Sequence, residues 1–183
     1  MKERILTSLL TVFVITGIQS QSPAPVPRLV VGLTIDQLRA DYIEAFSALY
    51  GERGFKRLLK EGRIYTNAEY DFINVDRSSA TASIYTGTTP YYNGIPANRW
   101  MDRNSLRIIK SVDDQSFMGV YTSENSSAKL LHCSTLSDEL KVATQGQAEV
   151  YSIAPTREMA ILAAGHAADG AFWLNDETGK WAG

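Results

Sequence analysis

Residues 29–35 read LVVGLTI and stop at Asp36. An apolar run without polar alternation predicts a strand buried on both faces, the condition of a strand inside a parallel sheet. Such a strand needs helices above and below it, so the run already points to an α/β fold. It also gives Asp36 a meaning. In open α/β sheets, sites form beyond the carboxyl ends of the strands. An aspartate there can ligate a metal or cap the helix that follows, and spacing alone leaves both readings open.

The rest of the chain supplies the alternation that such a fold requires. Helical stretches are expected at 38–49 and 55–60, the second stopped by Gly62, with a strand over 63–70. SSATASIY, residues 78–85, reads as a helix opened by serine caps and closed by Gly87. Residues 89–96 read as loop. A helix over 135–144 begins at Thr135, with Asp138 placed for a capping box. A strand at 149–153, a helix at 156–164 ended by Gly165 and a strand at 171–174 follow. The order predicts a mostly parallel central sheet flanked by helices. Gly179-Lys180-Trp181 reads as the return of a hairpin whose second strand is missing. The chain is therefore expected to be the N-terminal part of a larger domain.

Before this core stands a targeting pattern. Lys2 and Arg4 begin it, residues 5–18 are largely apolar, and Gln19-Ser20-Gln21 leads out of it. Residues 1–20 are read as a signal peptide, with an uncleaved anchor as the alternative. Either reading expects the remainder in the periplasm or secreted, with no membrane span once the signal is removed. Residues 21–27, rich in proline, form an extended linker. The folded part is expected over 28–183.

Charge and cysteine content exclude several functions. Eighteen basic and 20 acidic residues give a net charge of −2, and they are interspersed. No basic stripe marks a nucleic-acid-binding surface. A single cysteine, Cys133, excludes an internal disulfide and a multi-cysteine zinc site, and is read as a small buried hydrophobe. His132 and His166 are the two histidines. His166 with Asp169 resembles a ligand pair, but structural hydrogen bonding is the preferred reading.

The other chemical candidate is Asp76-Arg77-Ser78-Ser79, at the start of a helix. Free N–H groups and a partial positive charge there favour an anion, and the serines are either caps or nucleophiles. Here a resemblance adds to the reading. LVVGLTIDQLRADY, YGERGFKRLLKEGRIYTNAEYDF, SIYTGTTPYYNGIPANRW, LSDELKVAT and AGHAADGAFW, in this order, resemble the alkaline phosphatase superfamily. The nearest branch is that of phosphate-monoester phosphatases related to type I phosphodiesterases and nucleotide pyrophosphatases. The resemblance implies an alkaline-phosphatase-like α/β fold and an exported, metal-dependent phosphoester hydrolase acting on a small-molecule ester. It also implies two zinc ions that activate a Thr or Ser nucleophile. Asp36 matches the family's first metal ligand, and Asn98 matches an asparagine that contacts a phosphate oxygen.

Other positions depart from that pattern. The family's nucleophile stands six residues before the serine of SIYTGT, and counting back from Ser83 gives Arg77. Arginine is no phosphoryl acceptor, although it binds anions. Ser78, one residue on, is the fallback nucleophile. The branch also carries a Lys and an Arg, two apart, where this chain has Thr156 and Glu158, with Arg157 between them as a candidate substitute. The remaining ligands of the family site lie downstream of this chain. The chain alone is therefore expected to be inactive. The competing reading is a non-catalytic relative that keeps the fold and binds phosphate.

Overall fold

A computed structural model describes residues 26–183. Expectations for the signal peptide and for the start of the linker fall outside this range. The chain divides into two compact units, residues 1–32 and 33–183. Of the first unit, residues 26–32 are irregular and exposed.

The second unit begins with helix α1, Ala40–Ala45, a 3-10 turn, Ser47–Leu49, and helix α2, Phe55–Glu61, which stops at Gly62. Helix α3, Arg77–Thr86, ends at Gly87, whose φ of 66° is the left-handed conformation that glycine takes without a Cβ penalty. A four-residue helix, α4 (Pro90–Asn93), follows in the stretch read as loop. Proline at its first position explains it, because the fixed φ suits a first turn and the missing N–H is not needed there.

Strands β1 (Arg99–Met101) and β2 (Ile108–Lys110) then pair antiparallel, Trp100 opposite Ile109. At three residues each they are too short for a period-two pattern to show in the sequence. Asp102 tightens their turn, accepting from the backbone N of Ser105 at 3.0 Å and its hydroxyl at 2.6 Å.

The remainder is a β-α-β unit with an appended strand. Helix α5 (Leu136–Ala143) precedes β3 (Tyr151–Ala154), helix α6 (Arg157–Ala164), β4 (Gly170–Leu174) and β5 (Trp181–Ala182). β3 pairs parallel with β4, Ile153 opposite Phe172, and β5 pairs antiparallel with β4, Trp173 opposite Ala182. The sheet is thus mixed, ordered β3-β4-β5. The hairpin return expected to be missing is present as β5.

The core lies where α6 covers this sheet and meets α3. Ala82, Ile95, Val112, Leu131, Ala160, Leu162 and Trp173 are buried together. Helix α6 alone buries Met159, Ala160, Ile161, Leu162 and Ala164, more apolar side chains than any other described helix.

Two strand expectations are corrected. Residues 29–35 form no strand, and Leu29, Val31 and Leu33 are 79%, 77% and 79% exposed. Residues 63–70 are likewise irregular. Both have strand-like composition, but a strand exists only when a neighbour takes its N–H and C=O groups, and no described residue pairs with either segment. Cys133 is also corrected. It is half-buried, and its Sγ lies 3.3 Å from the Tyr92 carbonyl oxygen.

Candidate functional site

Asp76, rather than a serine, caps helix α3. Its Oδ1 accepts from the Ser79 backbone N at 2.9 Å, and the Ser79 hydroxyl accepts in return from the Asp76 backbone N at 2.9 Å. This capping box satisfies two donors that the first helical turn leaves open. The second oxygen of Asp76 does other work. Its Oδ2 accepts from the backbone N of Asn98 at 2.6 Å, which ties the loop before β1 to the helix start.

That bond places Asn98 beside Arg77 at the mouth of an open cleft of about 670 Å³. Thr34, Asp36, Tyr70, Asp76, Arg77 and Asn98 are among its lining residues. Segment 34–36, although not a strand, is held near α3 by a 3.3 Å hydrogen bond between the hydroxyls of Thr34 and Tyr85. Asp36, Arg77 and Asn98, three of the four residues singled out in the sequence, therefore meet in one place. Ser78 is the fourth, and it is not among the lining residues. It is fully buried, with its Oγ 3.3 Å from Asn98 Oδ1 and 3.2 Å from the Ser111 hydroxyl.

Within the cleft the dominant contact is ionic. Arg77 donates through Nε to Asp36 Oδ2 at 2.6 Å. The hydrogen bond that Arg77 donates to Asp36, and then the Asp36 charge, raise the Arg77 pKa further above an already high value. Tyr70 titrates above the ordinary phenol range because burial, and then the Asp36 charge, disfavours its phenolate. Tyr70 therefore presents a neutral O–H to the cleft. Sequence reasoning missed it and Thr34, since single tyrosines and threonines carry no motif. The Nδ2 group of Asn98 and the two terminal guanidinium nitrogens of Arg77 have no hydrogen-bond partner among the described residues. They are the donors left for a ligand.

Thr156, Arg157 and Glu158 divide differently. Arg157 is buried and points its guanidinium at acids outside the cleft lining. Nη2 is 2.9 Å from Asp113 Oδ1, and Nη1 is 3.3 Å from Glu124 Oε1. Its guanidinium is thus paired with acids that do not line the cleft. Thr156 stands at the N-cap of α6 without capping it, and its hydroxyl is buried and unpaired. The charge of Glu158 reaches Arg77 weakly, after Asp36.

His166 and Asp169 do not form a ligand pair. His166 lies on Asp138, its Nδ1 3.0 Å from Oδ2, and its Nε2 is 2.9 Å from the Leu131 carbonyl oxygen. Asp169 pairs with Lys141 at 2.7 Å.

A pair of metal ions does not fit the described residues. No group of three or more His, Cys, Asp or Glu side chains converges among them. In the cleft the acids are Asp36 and Asp76, and the oxygens of Asp76 are committed to Ser79 and Asn98. Asp36 is bonded to a cation already.

Comparison with known proteins places the chain in a class. The family model for type I phosphodiesterase / nucleotide pyrophosphatase matches residues 30–182, and the chain belongs to that family. Its relatives include alkaline phosphatase PafA of Elizabethkingia meningoseptica, 36% identical over 180 residues, 96% of this chain and 33% of that protein. Alkaline phosphatase PhoV of Synechococcus elongatus is 41% identical over 158 residues, 85% of this chain and 29% of that protein. A crystal structure of PafA superimposes with a TM-score of 0.83 at 34% identity, covering 88% of this chain and 32% of that one. The fold is thus alkaline-phosphatase-like, and the chain spans about a third of the length of the curated relatives it matches.

Proposed function

We propose that this chain forms the ester-binding part of an exported protein of the phosphoester hydrolase family, and that it holds a phosphoester without attacking it. The observation that carries the reading is Arg77. At the position that the resemblance gives to the nucleophile stands a guanidinium bonded to Asp36, and the neighbouring hydroxyl of Ser78 is buried against Asn98 and Ser111. A phosphoryl acceptor must reach phosphorus in line, with its oxygen exposed. Arg77 has no such atom, and Ser78 does not open to the cleft. What the cleft does offer is donors: Arg77, the Asn98 amide and the Tyr70 hydroxyl, all suited to non-bridging phosphate oxygens.

Export rests on the charged start and apolar run of residues 1–18. No helix among the described residues is long and apolar enough to cross a membrane. Hydrolysis is the second reading, favoured by the relatives' designation as alkaline phosphatases. The resemblance carries two zinc ions with it. Of their ligands this chain offers Asp36, and the others would have to come from outside residues 28–183.

The complete protein, assayed with aryl phosphate mono- and diesters, separates the two readings. Binding without turnover is expected for the wild type, with turnover arising in Arg77→Thr. Wild-type turnover that disappears in Ser78→Ala would make Ser78 the nucleophile and overturn the proposal.

A further inference from the structure

The same cleft carries an inference about charge, which rests on placing Arg77 at the reactive position. We propose that Arg77 takes the place of a metal on Asp36, so that this carboxylate is neutralised without a bound cation. A carboxylate at the mouth of a phosphate site is otherwise a liability, because it repels the anion. Here it is neutralised from within. The Nε–Oδ2 distance of 2.6 Å is that of a short charge-assisted hydrogen bond. The contact uses Nε and leaves both terminal nitrogens without a hydrogen-bond partner among the described residues, on a side chain that lines the cleft. One planar cation can therefore hold Asp36 and an oxyanion at once, through separate donors fixed in one plane.

The arrangement also works against metal binding. A divalent ion seeking Asp36 must displace the guanidinium, and then sits close to a like charge that no accessible pH removes. The other acid in the lining gives no help, since Asp76 spends its oxygens on the α3 cap and on Asn98. A cleft built this way binds phosphate or sulfate groups whether or not metal is available.

The test is made on the complete protein, stripped with EDTA, by calorimetric titration with zinc chloride and separately with inorganic phosphate. Phosphate binding by the stripped wild type is expected to match binding in the presence of zinc. Its loss on stripping would overturn the proposal. Zinc affinity is expected to rise by about tenfold or more in both Arg77→Thr and Arg77→Gln, as a close like charge is removed. The rise should be absent when Asp36→Asn is added to either. Unchanged or weaker zinc binding in the folded Arg77 variants would sink the idea. These titrations contain no ester, so ester turnover by the wild type tells against the binding-without-attack reading alone, while unchanged zinc affinity tells against charge replacement alone.

Discussion

His166 and Asp138 lock the start of α5 to the end of α6: the imidazole Nδ1 lies 3.0 Å from the carboxylate Oδ2. The same carboxylate accepts from the backbone N of Thr135 at 2.8 Å, of His166 at 2.8 Å and of Ala167 at 2.9 Å. Burial works to raise the Asp138 pKa, and these bonds outweigh it, so the group titrates below its ordinary range. Gly165 is needed beside it. Its φ is 81°, and a Cβ there would stand 2.6 Å from Asp138 Oδ2 and clash with the Thr135 hydroxyl.

Asp138→Ala is therefore expected to lower the unfolding free energy by about 2–4 kcal/mol, because it removes a cap and leaves several buried donors open. Urea denaturation followed by circular dichroism measures it. Gly165→Ala should be destabilised in the same direction. A loss under about 0.5 kcal/mol in both, the level of an ordinary surface change, would refute this account of the lock.

Asp114 gives the chain a defined acid response. The hydroxyls of Ser116, at 2.6 Å, and Ser127, at 2.7 Å, hold its pKa down to about 2. A group depressed on folding contributes stability that is complete above its unfolded pKa, near 4, and lost as pH falls through the folded value. Stability from Asp114 should thus fade between about pH 4 and pH 2. Ser127→Ala removes one of the two hydroxyl bonds, so its acid unfolding midpoint should move to higher pH. A midpoint identical to the wild type would contradict the assignment.

Thr156 is an expected site of improvement. Its hydroxyl is buried without a partner, and valine has nearly the same shape. Thr156→Val should be neutral or more stable by about 0.5–1 kcal/mol, since an unmet hydroxyl is costly to bury. Thermal melts of the two proteins decide it. A clearly lower melting temperature would mean that the hydroxyl has a partner after all.

Asp76 couples the fold to the cleft. Asp76→Ala removes the α3 cap and the 2.6 Å bond that positions Asn98. It should cost about 1–2 kcal/mol of stability and also weaken phosphate binding, although Asp76 brings negative charge to the site. Asp76→Asn can still accept at the helix start, and should recover most of the stability. Tighter phosphate binding in Asp76→Ala would show that its charge outweighs its positioning.

The sequence by itself determined what local chemistry decides. The Thr135–Asp138 capping box, the stops at Gly62, Gly87 and Gly165, and the β3-α6-β4 order were legible because each depends on a few adjacent residues. Ordered motifs also brought out Asp36, Arg77 and Asn98 as one group, and the structure sets them around one cleft. Tertiary structure alone decided the rest. LVVGLTI has the composition of a buried strand, yet pairing is a property of two segments, and residues 29–35 have no paired neighbour among the described residues. Which acid capped α3, which faced Arg77 and which held His166 were equally hidden. Asp36 and Arg77 are 41 residues apart, and Asp138 and His166 are 28 apart. A carboxylate's partner is set by which donors the folded chain brings within hydrogen-bond reach, and that distance is written only in three dimensions.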